Sequence, residues 1–146
     1  MLLITFSYAE SRVQMNTTGM FSSISAIGPY VQAQVVRLHG GQKLVYTAGQ
    51  VGLDPKTGEL VPGGIQAETR RVMQNLAAVL RGANLSLADV VKTTVYLADM
   101  ADFSAMNEVY GQAFGASPPA RTTIAAAGLP KSARVEIECV AVGRDL

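Results

Sequence analysis

The chain predicts a mixed β-sheet with two helices on one of its faces, in the order β-β-α-β-α-β-β. Three observations lead there. Helical and strand periodicities alternate through the middle of the sequence. Strand-turn-strand patterns open and close the domain, so the sheet cannot be wholly parallel. Each helical stretch carries a single apolar stripe, which places both helices on the same face. The opposite face is then left for solvent or for another subunit.

Residues 1–23 share little pattern with the rest and read as an N-terminal extension. Met15 and Met20 are alternative starts, and the single domain runs over 24–146. Ser25 to Tyr30 is a turn-like entry. Val31 to Leu38 alternates as a strand, His39-Gly40-Gly41-Gln42 turns the chain, and Lys43 to Thr47 returns as a second strand. Gly49 and Gly52 mark backbone that something approaches closely. Asp54-Pro55-Lys56-Thr57-Gly58 is a turn.

A helix is predicted from about Ile65 to Gly82, with Ile65, Val72, Leu76, Val79, Leu80 and Ala83 on its stripe. Glu68 and Arg71 fall on its polar side, and Gly82 lies near its C-terminus. Ser86 to Asp89 is a short helical turn. Val90 to Leu97 is rich in β-branched residues and reads as a strand. Asp102 is the expected N-cap of a second helix, with Phe103, Met106, Tyr110 and Phe114 on one stripe.

Composition narrows the function. The chain has 146 residues, 49% apolar and 16% charged, with a formal net charge of +1. That is a one-domain length with room for a core. The low charge content fits either an Ala- and Gly-rich core or a surface partly covered by other subunits. No basic cluster suggests nucleic acid. One Cys (Cys139) excludes an intrachain disulfide, and with one His (His39) it cannot build a usual zinc site. No apolar run is long enough for a membrane span. Residues 1–6 are apolar but brief and lack a charged leader, which predicts a cytoplasmic protein; Arg12 after that start leaves organelle targeting as the alternative.

The most informative segment is the last. Pro119-Ala120-Arg121-Thr122-Thr123-Ile124 reads as a strand opened by a lone Arg. A turn follows at Gly128-Leu129-Pro130-Lys131, then a strand at Val135 to Val142 containing Glu136 and Glu138 on one face. A closing hairpin would let Arg121 and one of these two carboxylates face one cleft. A guanidinium fork grips a planar carboxylate, and a strand carboxylate serves acid-base work beside it.

With Ala26-Ile27-Gly28-Pro29-Tyr30, Thr47-Ala48-Gly49-Gln50, Val91 to Tyr96 and Met106-Asn107-Glu108-Val109-Tyr110, these segments resemble the RidA/YjgF family of imine deaminases over roughly residues 25–143. The resemblance implies an α+β, chorismate-mutase-like fold assembled as a homotrimer with clefts between subunits. It implies hydrolysis of short 2-imino acids and their enamine tautomers (2-aminoacrylate, 2-iminobutanoate, 2-iminopropanoate) to 2-keto acids and ammonia. It also implies a role in clearing such reactive metabolites, with no metal or organic cofactor, no nucleic acid and no membrane.

By the same resemblance Arg121 and Glu136 are the catalytic residues. Arg121 binds the carboxylate together with the Thr123 N–H. Tyr30, Thr47 and Gly49 line the substrate, and Asn107 shapes the cleft. Many family members have Cys where this chain has Thr123; a role through the backbone makes that change harmless. The alternatives are a non-catalytic binder of keto acids or other small carboxylates, an RNA-cleaving translation inhibitor, and, by fold analogy alone, a chorismate mutase.

Overall fold

The computed structural model describes residues 12–15 and 26–145. The elements run β1 (Arg12–Met15), β2 (Ala33–Arg37), β3 (Gln42–Thr47), β4 (Gln50–Val51), α1 (Gly64–Gly82), β5 (Val90–Leu97), α2 (Phe103–Phe114), β6 (Ala120–Ala125) and β7 (Val135–Arg144). The sheet order is β1-β2-β3-β7-β5-β6, with β4 also paired to β7. Only β5 and β6 pair in parallel; the other pairings are antiparallel. The mixed sheet with two helices is therefore as expected. Of the expected extension, Arg12–Met15 pairs with β2; the remainder, like Ser25, lies outside the described residues.

The opening hairpin forms as predicted, closed by a helical turn over His39–Gly41. The closing hairpin does not. β5 lies between β6 and β7 and pairs with both. The link between them clasps the end of β5 instead: Ala126 N–H donates to the Leu97 carbonyl, and Ala98 N–H to that of Arg134. The residue patterns explain the arrangement. Val135, Ile137, Cys139 and Ala141 are buried, which suits a central strand. β6 is largely exposed, with Arg, Thr and Ala in place of a continuous apolar face, and takes the edge.

The core lies between the sheet and the helices. Val72, Leu76, Val79 and Leu80 of α1 and Met106 of α2 pack on Val45, Val95, Val135 and Ile137. A smaller cluster of Val51, Leu53 and Ala133 holds the β4 loop. Asn75, buried on α1, ties that loop down by donating from Nδ2 to the carbonyls of Val51 and Leu53, each at 3.1 Å.

Two local expectations need correction. Glu68 is buried rather than on a polar face, and its carboxylate accepts the Arg134 N–H at 2.8 Å. Asp102 stands at the N-cap of α2 but makes no side-chain capping bond. Its carboxylate takes a two-pronged bond from Arg134 at 2.8 and 2.9 Å. At the end of α1, Asn84 rather than Gly82 adopts the left-handed conformation, with φ of 58°. Leu85 N–H then reaches back to the Leu80 carbonyl. No helix among the described residues is long and apolar enough to cross a membrane.

Candidate active site

The pairing of strands decides which predicted residues can meet. Arg121 is in register with Thr93, and Thr93 with Cys139. Thr93 and Cys139 are buried on the helix side of the sheet. Arg121 points the same way, and its guanidinium carbon lies 4.7 Å from the ring centre of Tyr110 and 5.5 Å from that of Phe103, both on α2. Glu136 is in register with Tyr96, whose hydroxyl donates to Glu138 at 3.3 Å, on the opposite face. Within one chain, Arg121 and Glu136 are thus on opposite faces with β5 between them. The shared cleft expected from a closing hairpin does not exist in a single protomer.

Each residue instead stands in a candidate half-site of its own. Around Arg121, no carboxylate among the described residues pairs with the cation. Thr123 lies two residues on, on the same strand face. Asn107 sits on α2 between Phe103 and Tyr110. The Thr123 Oγ1 and Asn107 Oδ1 atoms are both buried without a hydrogen-bond partner. Buried polar atoms are rarely left so. Charge and hydrogen-bonding capacity are both unspent here.

The second half-site gathers Glu136, Gly49, Tyr30 and Thr47. Glu136 lies directly against Gly49, where a side chain would collide with its carboxyl group. Tyr30 and Gly49 border one crevice, and Tyr30 and Thr47 line a hollow of about 600 Å³ with Gln34 and Tyr46. Tyr30 is 45% exposed, with its ring free to cover a ligand. The Thr47 hydroxyl accepts from Cys139 N–H at 3.0 Å, which holds its loop to β7. Burial raises the pKa of Glu136 above the usual carboxylate range, and the neighbouring Glu138 adds to the rise. Such a group is poised to take and return a proton.

Cys139 is no substitute for a thiol at position 123. Burial pushes it up to about 11, so it stays protonated and poorly nucleophilic. Two glycines read as points of close approach are so: Gly49 faces Glu136, and Gly52 packs against the backbone of Glu68 on α1. In both cases the neighbour is the protein itself. Phe103 and Tyr110 lie on the expected stripe of α2, with Tyr110 in the core, but that both rings also meet Arg121 was not foreseen. The usable signal was an aromatic pair at i and i+7 on the helix just before a strand with a lone Arg.

The described residues form a small mixed-sheet domain with a cation free of carboxylate partners on one face and a desolvated carboxyl on the other. Comparison with known proteins places it further. Residues 20–143 match the model of the family described as Endoribonuclease L-PSP, and the chain belongs to this family, that of the RidA/YjgF proteins. It is 50% identical over 115 residues to a RutC family protein of Pyrococcus horikoshii, covering 79% of this chain and 87% of that one. It is 48% identical over 118 residues to the mouse protein named 2-iminobutanoate/2-iminopropanoate deaminase, covering 81% and 84%. Among solved structures, the fold is similar to that of E. coli TdcF with bound serine, at a TM-score of 0.74 and 39% identity over 84% of this chain and 94% of that one. It is also similar to YyfA of the Rid family from Yersinia pestis, at a TM-score of 0.78 and 36% identity over 90% and 98%.

Proposed function

We propose that the protein hydrolyses short 2-imino acids and their enamine tautomers, 2-aminoacrylate, 2-iminobutanoate and 2-iminopropanoate among them, to 2-keto acids and ammonia. It would thereby clear reactive intermediates in the cytoplasm. The observation that carries the reading is Glu136, a half-buried carboxyl whose pKa is raised by desolvation and by Glu138. A protein that merely held a keto acid would need the Arg121 cation but no proton-transfer group. Deaminases at 44–48% identity support the same reaction class.

In this mechanism the Arg121 fork and the Thr123 N–H take the substrate carboxylate. The protonated imine carbon faces a water held by Glu136 and by the loop around Gly49. Glu136 accepts a proton as the water oxygen bonds to that carbon, giving a carbinolamine. Glu136 passes that proton to the amine nitrogen and takes the hydroxyl proton as the C–N bond breaks; the keto acid leaves, and ammonia departs with the last proton as ammonium. An iminium carbon is already electrophilic, so placement supplies most of the acceleration. Asn107 and Tyr30 shape the walls.

Because the two half-sites lie on opposite faces, the complete cleft joins Arg121 of one copy to Glu136 of another in a homotrimer. The sheet face bearing Tyr46, Val140, Val142 and Glu138 is then the buried one. Tyr46 is 46% and Val142 39% exposed in the single chain. The near-neutral net charge of +1 argues against an RNA substrate.

The test is a coupled assay that generates 2-aminoacrylate or 2-iminobutanoate and follows its loss with and without protein. Acceleration that disappears in Arg121→Ala is expected. Binding of 2-ketobutyrate with no acceleration would favour the binder, and full activity of Arg121→Ala would overturn the assignment.

A further inference from the structure

We infer that Phe103 and Tyr110 are positioning residues for Arg121: they hold the guanidinium by their ring faces so that its charge and its N–H edge stay available to an anion. The inference rests on the reading that Arg121 takes the substrate carboxylate, and it adds the device that keeps the cation free.

A carboxylate is one means of fixing a cation in a protein. That solution spends the charge and both prongs of the fork on the partner. Among the described residues three basic side chains follow it: Arg37 and Lys43 on Asp145, and Arg134 on Asp102. Arg121 does not. Its guanidinium lies over two aromatic rings, at 4.7 and 5.5 Å. A ring attracts the cation through its quadrupole without neutralising it and offers no acceptor for the in-plane N–H groups.

The rings are themselves fixed. Tyr110 is buried, its hydroxyl is 2.7 Å from that of Thr93, and its ring stacks at a tilt on Phe114 at 4.8 Å. Thr93 is the residue in register with Arg121. The strand that carries the cation and the strand that anchors its aromatic wall are thus locked together. Phe103 is the first residue of α2 and 36% exposed, so it forms the outer wall. It is not among the side chains that pack on the main core.

Substitutions at Phe103 separate positioning from packing. Phe103→Leu keeps an apolar side chain and removes the ring. Phe103→Trp restores a stronger ring. Phe103→Glu places a carboxylate within reach of the guanidinium, at a helix N-terminus where an acidic residue favours folding. Kinetics with 2-iminobutanoate and inhibition by 2-ketobutyrate read the outcome, with thermal unfolding recorded for each variant.

The expected KM and inhibition constant rise about two- to fivefold in Phe103→Leu, with kcat little changed and Phe103→Trp back at wild type. In Phe103→Glu they rise more than about tenfold while the unfolding midpoint holds or increases. Wild-type constants in Phe103→Leu and Phe103→Glu, with Arg121→Ala inactive, would overturn the inference alone. Wild-type turnover in Arg121→Ala would instead overturn the functional reading beneath it.

Discussion

Replacing Gly49 by Ala adds one methyl group to the molecule, aimed at the proposed base. The new Cβ would stand 2.8 Å from Cδ and 2.9 Å from Cγ of Glu136, with a carboxylate oxygen closer still, where ordinary contact begins near 3.4 Å. The carboxyl group must therefore withdraw by about half an ångström or more, and a shift of about 1 Å in a reacting group costs roughly a hundredfold in rate. The fold should barely notice. Gly49 is not among the glycines with positive φ, so Ala fits the backbone, and the group displaced is the end of a flexible side chain. Restricting the unfolded chain even returns about 0.4–1 kcal/mol. We expect kcat to fall about 30- to 100-fold, with KM and the unfolding midpoint little changed, in the coupled imine assay. A Gly49→Ala protein within about threefold of wild-type kcat would refute the placement of Glu136 as the base.

Other predictions follow from particular contacts. Glu136 must be ionised to act, and its raised pKa makes activity fall as pH drops through it. Glu138→Gln removes the second cause of that rise, so the acid limb of the kcat/KM profile moves to lower pH. Asn75→Ala removes the side-chain donor to the Leu53 and Val51 carbonyls, the second of which keeps the Leu53 N–H, and should cost about 1–3 kcal/mol, read in denaturant unfolding at fixed protein concentration. Asp145 is held below the usual carboxylate range by Lys43 and Arg37, so its contribution is present at neutral pH and lost as pH falls through that lowered value. Asp145→Asn leaves the buried Lys43 without its counter-charge. It should therefore lower the unfolding midpoint at pH 7, by an amount that shrinks in acid.

Much of the fold was legible because its signals are local. The stripe of α1, the β-branched run of β5 and the Gly-rich turn after β2 each announce themselves within a few residues. The order of strands is not local. Nothing between Ile124 and Val135 states that β5 will slip between β6 and β7. The only hint is that β6 lacks the unbroken apolar face a central strand needs. That one misplacement moved Arg121 and Glu136 from a supposed common cleft to opposite faces. The individual site residues came from motif resemblance, and their chemistry from their types. Which copies bring them together is a property of assembly, which single-chain periodicity does not encode. Glu68 and Asp102 misled for a related reason. Each spends its carboxylate on Arg134, far along the chain, instead of on its own helix.

The central claim is that a deaminating site joins Arg121 of one copy to Glu136 of another. Arg121→Ala and Glu136→Gln proteins, each inactive alone, can be denatured, mixed in equal amounts and refolded together. If each site draws the two residues from different chains, random reassembly restores both to about a quarter of the sites, and turnover of 2-iminobutanoate should return in that proportion. Recovery of co-assembled protein with no turnover would contradict the account.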